Sequence, residues 1–345
     1  MKGSTIALDQ IGTRQAAAQM VDGVLEDFTI DPPDWVIPPE TLFRGKFGRP
    51  VKGMGGAFVD LPDGQSGFLR QTKGLRPGDP ILVQVTGLAE AGKAVPVTTR
   101  LLFKSRYAIV TPDAPGLNIS RQIDDGALRA DLDALARDCM DGAGESLGLI
   151  LRSACLEADE ATIADDILQM RSLAEHVLAD AAGKPELLVA APGAHELAWR
   201  DWAAADTLDD SLGSFARHGV DDALYKLTRA EVGLSHGASM VIEPTRALVA
   251  VDINTGPDTS PAAGLKANIA AIRALPRQLR LRGLGGQVVI DLAPYPKREK
   301  QVLEQVLGAA FKRDGRDTVL AGFTPLGNFE LTRKRDRVAL SVLLS

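Results

Sequence analysis

The chain has 345 residues, enough for roughly two to four compact units, and 45% hydrophobic with 24% charged residues is ordinary for a globular protein. No apolar run approaches the roughly 18 residues of a membrane span, and residues 1–22 lack the basic-then-apolar pattern of a secretion signal, so a cytoplasmic protein without membrane contact is expected. The two cysteines, Cys139 and Cys155, form no Cys-x-x-Cys, which argues against a disulfide framework or a cysteine-rich zinc site.

The net charge of −6 is unevenly spread. Residues 261–345 hold 15 Lys and Arg against 7 Asp and Glu, a local +8, which leaves −14 on the rest. A basic end on an acidic chain fits a polyanion site on one face, and equally a helix with solvated basic residues.

Residues 6–31 mix short apolar stretches around Val21-Asp22-Gly23, a hairpin-turn signal, before the proline-rich boundary from Pro32-Pro33 to Pro38-Pro39. Residues 42–99 read as short strands punctuated by glycine turns such as Pro62-Asp63-Gly64 and Pro77-Gly78-Asp79, which suggests a small barrel. Phe58 and Phe68 fall on neighbouring strands there, either as an exposed stacking platform for bases or as core residues.

Residues 105–183 change to mixed α/β. A strand at 107–110, a helix over 123–140 with acids in its first turn, a buried strand at 147–151 and a long helix over 160–182 are expected, while 201–218 reads as loop-rich. The strand at 147–151 stops at two polar residues, Arg152 and Ser153. The last third alternates strands at 239–243, 247–252 and 287–291 with helices over 268–281, interrupted by Pro276, and 297–311, a layered α/β unit.

Asp252 and Asp291 each close an apolar strand, with a helix-length connection between them. If the strands are parallel neighbours, both carboxylates emerge at one sheet edge, where α/β folds place their sites. Two such carboxylates repel, and a hard divalent cation relieves the repulsion. Magnesium takes one or two carboxylates and keeps several waters, and it can activate a water and stabilise charge on a phosphodiester. Asn254, two residues beyond Asp252, points the same way in an extended strand. Arg277, Arg280, Arg282 and Lys297 lie near in sequence as phosphate clamps. The bland reading of Asp252 and Asp291 is that they cap strand ends or turns.

Two stretches resemble the catalytic part of the ribonuclease E/G family. One is Val251-Asp252-Ile253-Asn254-Thr255-Gly256. The other runs from Arg277-Gln278-Leu279-Arg280-Leu281-Arg282 through Gly283-Leu284-Gly285-Gly286 into Val288-Val289-Ile290-Asp291. The resemblance covers most of the chain and is faint over about 154–214. It implies an α/β multidomain protein. An RNase H-like scaffold (1–34 and 190–234) would carry an inserted S1, OB-type, barrel (35–104), a 5′-sensor α/β region (105–189) and a DNase I-like catalytic subdomain (235–345).

By the same resemblance Asp252 and Asp291 match the magnesium-binding aspartates, with manganese a substitute, and Asn254 the asparagine that supports the nucleophile. Phe58, Phe68 and Lys93 match RNA contacts of the barrel. Arg121, Arg152 and Ser153 match the pocket for a 5′ monophosphate, with serine in place of the usual threonine. The implied activity is hydrolysis of single-stranded RNA to 5′-phosphate and 3′-hydroxyl ends. Pro294 stands where the family often has a second acid, Ala270 replaces a helical acid, and the loop after Phe68 is short. Without the family's Cys-x-x-Cys, no zinc and no zinc-joined dimer are expected, and the oligomeric state stays open. An RNA-binding regulator of the same fold without turnover, and a phosphohydrolase acting on another substrate, are the alternatives.

Other chemistries find no support. His176, His195, His218 and His236 form no i,i+4 pair, and no Gly-x-Ser-x-Gly, Walker A or Gly-x-Gly-x-x-Gly pattern is present.

Overall fold

The computed structural model describes residues 2–89 and 92–344. Two compact units emerge, one built from residues up to Pro33 and from Ala205 onward, the other from Asp34–Ala204.

The first unit opens with a meander of β1 (Ser4–Ile11), β2 (Arg14–Val21) and β3 (Val24–Ile30). The β2–β3 turn is Asp22-Gly23, both residues at positive φ (50° and 77°), as a two-residue turn matched to strand twist requires. The run Ala16-Ala17-Ala18 on β2 is fully buried.

In the second unit, β4 (Leu42–Val51), β5 (Gly56–Asp60), β6 (Ser66–Leu69), β7 (Pro80–Val85) and β8 (Val95–Thr98) close into a barrel. Closure comes from β4, which pairs with both β5 and β7. Period-two alternation sends Phe43, Phe47, Val59, Leu69, Val83, Val95 and Val97 inward as its core.

The barrel is followed by β9 (Phe103–Lys104), β10 (Ala108–Pro112), β11 (Gly116–Ile119), α1 (Gly126–Cys139), β12 (Leu147–Leu151), α2 (Glu160–Ala179), β13 (Glu186–Val189) and α3 (Ala194–Asp201). Four of the strands form a sheet in the order β11-β12-β10-β9, and α2 packs over β10 and β9, its Ile163 and Ile167 sharing one core with Val110, Leu149 and Leu151. Helix α1 starts later than the sequence pattern suggests. Asp125 is its N-cap, accepting from the backbone N–H groups of Ala127 and Leu128, so the expected first-turn acids stand before the helix. Helix α3, expected with the scaffold, belongs to this unit. Its buried Arg200 donates to Glu40 at the mouth of the barrel (Nη1 to Oε2, 2.6 Å).

The chain re-enters the first unit with β14 (Thr207–Asp209), parallel to β1, then α4 (Ser214–His218) and α5 (Val220–Leu227). The stretch 201–218 is therefore more ordered than its composition suggests. Asp209 ties it together by accepting from Arg217, Ser211 and His218. Next come β15 (Glu231–Gly233), β16 (Ser239–Pro244), β17 (Val249–Asn254), α6 (Ala263–Leu281), β18 (Gly286–Asp291), α7 (Lys300–Asp314), β19 (Thr318–Phe323), β20 (Phe329–Arg333) and α8 (Leu340–Leu343). The six strands form one sheet in the order β15-β16-β17-β18-β20-β19, in which only β17 and β18 are parallel neighbours.

Helix α6 is the crossover between those two strands. Its stripe of Ala267, Ala271, Ile272, Leu275 and Leu279 packs on Met240, Ile242, Val251 and Ile290. The helix runs unbroken through Pro276, contrary to the interruption expected. Proline removes one N–H donor from the ladder, but burial of the residues on either side holds the helical path.

Candidate functional site

Register decides the geometry of the carboxylate edge. Asp252 on β17 and Asp291 on β18 are partners in the parallel ladder, so both side chains leave the same end of the sheet on the same face. Both are exposed, and neither forms an ion pair among the described residues. Asn254 stays in the strand and donates from Nδ2 to Asp252 Oδ2 at 2.9 Å, which fixes that carboxylate's orientation.

The loop after Asp291 is held by a residue that pattern reading passed over. Asn268 on α6, fully buried, donates from Nδ2 to the Ala293 carbonyl (2.8 Å) and accepts from the Ala293 N–H (2.9 Å). One turn earlier, Gly264 meets the same loop, where a Cβ would stand 1.8 Å from the Pro294 carbonyl oxygen. The legible signal was a lone amide at helical spacing within an otherwise apolar face.

The structure does not bring Arg277, Arg280 and Arg282 to this edge, which corrects the phosphate-clamp expectation for them there. A crossover helix runs antiparallel to the strands it joins. Nineteen residues at 1.5 Å each carry the chain back about 28 Å, to the opposite edge where β18 begins. Arg280 is instead enclosed by acids. Its Nη2 lies 2.6 Å from Glu26 Oε1, and its Nη1 donates to Asp314, whose other oxygen is 2.7 Å from Arg333. Arg277 reaches Glu26 at 3.6 Å. Arg282, nearly buried, donates to the Gln278 side chain and to the Arg229 carbonyl at 3.0 Å.

On the barrel, Phe58 and Phe68 are directly opposed across β5 and β6, with ring centroids 5.5 Å apart at 69°. Their neighbours Ala57, Val59 and Leu69 take the interior, so the two rings share the outer face. Phe58 keeps 39% of its surface exposed. Gly56 makes room for this, because a Cβ there would lie 2.7 Å from the Phe68 ring. Lys93, exposed, lies just before β8, whose Pro96 pairs with Phe68. Over residues 35–104 Lys and Arg outnumber Asp and Glu ten to five, so the face carrying the rings sits on a basic barrel.

Strands β11 and β12 are parallel, with Ile119 opposite Leu151. The residues that follow them, Arg121 on one side and Arg152 and Ser153 on the other, therefore gather at one sheet end. Arg121 is exposed and forms no ion pair among the described residues. Arg152 is differently placed. It donates to the Ser105 carbonyl and, from Nη2, to Asp201 Oδ1 at 2.8 Å. Burial alone would raise the Asp201 carboxyl, but Arg200 and Arg152 hold it below the usual range. Asp201 thus occupies the guanidinium that the family resemblance matches to a 5′-phosphate pocket.

A closed five-stranded barrel of S1 type, set in a multi-sheet α/β frame with a paired-aspartate edge, defines the class of protein. The model of the ribonuclease E/G family matches residues 103–212 and 207–336. The chain is also 26% identical to ribonuclease G of Salmonella typhimurium, covering 88% of this chain and 74% of that protein. It is 27% identical to ribonuclease E of Nostoc sp. (85% and 51%) and 26% identical to ribonuclease E of Escherichia coli (92% and 35%). The chain belongs to the ribonuclease E/G family.

Proposed function

We propose that this chain, an endoribonuclease, hydrolyses single-stranded RNA at the Asp252–Asp291 edge in RNA processing or decay, leaving 5′-phosphate and 3′-hydroxyl ends. The observation that carries the reading is the in-register pairing of two exposed aspartates that form no ion pair among the described residues. That donor set suits magnesium, or manganese in its place, because such hard ions accept one or two carboxylates and fill the remaining positions with water. When bound, the ion would supply an activated water and charge neutralisation at the phosphodiester. Asp252 and Asp291 would hold it, Asn254 would orient the Asp252 carboxylate, and Asn268 would keep the loop after Asp291 in place.

The remaining parts fit an RNA-handling role. Phe58 and Phe68, with Lys93, offer ring faces and positive charge to unpaired bases and their backbone. Arg121, Arg152 and Ser153 are read as a 5′-monophosphate sensor in which phosphate must compete with Asp201. In this reading the β1–β3 meander with β14 belongs to an RNase H-like scaffold, residues 105–189 to the sensor region and 235–345 to a DNase I-like catalytic subdomain. Among the described residues no helix is long and apolar enough to cross a membrane. A cytoplasmic site of action goes with RNA as substrate.

The test is cleavage of a 5′-monophosphorylated A/U-rich oligonucleotide with magnesium, with Asp291→Asn alongside. Magnesium-dependent cutting by the parent and none by the variant is the expected result. Binding without cutting by the parent would favour the second reading, an RNA-binding protein without turnover. Pro294, standing where the resemblance places an acid, is the observation behind that alternative.

A further inference from the structure

A groove of about 520 Å³ opens in the first unit between the start of β3, helix α5, strand β15 and the last turns of α6. Four basic side chains line it, Lys226, Arg229, Arg277 and Arg282, against two acidic ones, Asp222 and Glu231. The excess positive charge centres on Arg282, which is only 7% exposed.

Two residues away, the fold surrounds the Arg280 guanidinium with the carboxylates of Glu26, Asp27 and Asp314. Arg282 receives none among the described residues. Its hydrogen bonds go to neutral oxygens, the Gln278 side chain and the Arg229 carbonyl. The C-terminal carbonyls of α6 add only about half an elementary charge. Burial without a counter-charge pulls the guanidinium down to about 10, so it is still a cation at neutral pH. A buried cation without an anion is unfavourable unless a ligand completes it. The planar fork of arginine matches phosphate oxygens. Lys226 and Arg229 are exposed at the rim and form no ion pair among the described residues; Arg229 lies over the Tyr225 ring at 5.1 Å. Val24 and Leu281 add apolar wall, and the volume matches pockets for small ligands.

We propose that this groove is an accessory phosphate site, built around Arg282 and sized for one nucleotide, at the opposite edge of the sheet from Asp252 and Asp291. The phosphate belongs either to a free nucleotide or to an RNA chain. The proposal does not rest on cleavage, so it stands or falls separately from the nuclease reading.

The experiment is thermal unfolding of the full chain in EDTA with inorganic phosphate, AMP, UMP or a single-stranded oligoribonucleotide lacking a 5′ phosphate. A ligand bound only by the folded state should raise the melting midpoint of the parent by about 2–4 °C near saturation. Arg282→Met should markedly reduce that rise, the barrel and the 5′ sensor holding what remains of it, and Arg137→Gln, exposed on α1 outside the proposed sites, should keep it in full. A rise with AMP, UMP or phosphate identifies a free phosphate ligand. A rise with the oligonucleotide alone, smaller in Arg282→Met than in the parent, identifies a chain phosphate. Should Arg282→Met fail to fold, the rim variant Lys226→Gln/Arg229→Gln should weaken binding about tenfold or more, the loss expected for charge-assisted hydrogen bonds. No rise with any of the four ligands, or a rise as large in folded Arg282→Met or in the rim variant as in the parent, overturns the proposal.

Discussion

Asp252 and Asp291 stand opposite each other as register partners of the only parallel strand pair in the six-stranded sheet. A slip of one residue in either strand would turn one carboxylate to the other face, so the pairing depends on the apolar residues that fix the register, Val251 and Ile290 among them. Asp252→Asn and Asp291→Asn should each lower turnover by several orders of magnitude while leaving RNA affinity intact, because amides are poor ligands for a hard cation. Chelation should do the same to the parent, and added magnesium or manganese should reverse it. Cleavage kinetics beside a binding assay decide this. Equal turnover of parent and variants would remove the pair from the chemistry.

Asn268 makes a different prediction because it touches no reacting atom. Replacing it with leucine leaves the buried N–H and C=O of Ala293 without partners, which should cost about 1–3 kcal/mol each in stability. Since that loop directly follows Asp291, the variant should also need more magnesium for half-maximal rate. A merely structural role would lower the melting point and leave the magnesium dependence unchanged.

The aromatic pair predicts loss of binding without loss of fold. Phe58 lies half outside the barrel and contributes little to its core, so Phe58→Ala should leave the melting point nearly unchanged. RNA affinity should fall by about 1–3 kcal/mol for the base that loses its stacking partner. Phe68→Ala should do likewise with a larger loss of stability, since it is the more buried ring. If a small phosphodiester substrate loses rate as much as an oligonucleotide does, the rings are not an RNA platform.

Much of this arrangement was legible in the sequence because it rests on local signals. Short strands between glycine turns marked the barrel, apolar runs ending in aspartate marked β17 and β18, and Asp22-Gly23 marked a turn whose two residues need positive φ. What escaped was set by direction and by distant partners. Arg277, Arg280 and Arg282 are near the carboxylates in sequence, but the crossover helix carries them to the far edge. Asp201 sits 49 residues from Arg152, and only folding shows that the two meet. Pro276 reads as a helix breaker until the packing around it is known.

The Arg152–Asp201 contact predicts a guarded sensor. A 5′ phosphate must displace a carboxylate that already accepts from Arg152 and Arg200. Arg152→Ala or Arg121→Ala should abolish any preference for 5′-monophosphorylated over 5′-hydroxyl RNA. Asp201→Asn should enlarge it, since the guanidinium loses its competing charge. Rates on matched substrates with the two ends measure this, and a preference that shrinks in Asp201→Asn would mean that Asp201 positions Arg152 rather than competing for it.

Arg280, expected to hold RNA, should prove to hold the fold. Its side chain is 10% exposed and that of its partner Asp314 only 2%, and removing one member of a buried pair leaves the other uncompensated. Arg280→Ala should therefore cost about 3–5 kcal/mol, with RNA affinity per folded molecule unchanged. The change should also alter the acid limit. Burial would raise the Asp27 carboxyl, but Arg337, Arg280 and Arg316 overcome it and hold that group below its ordinary value. A depressed carboxyl stabilises the fold above its unfolded-state value of about 3.9 and loses that contribution as the pH falls through the folded-state value. With Arg280 gone, the depression is smaller and the loss comes at higher pH. Acid unfolding followed by circular dichroism should shift upward in pH for Arg280→Ala, and a transition at the parent's pH would show that Arg337 and Arg316 suffice for Asp27 alone.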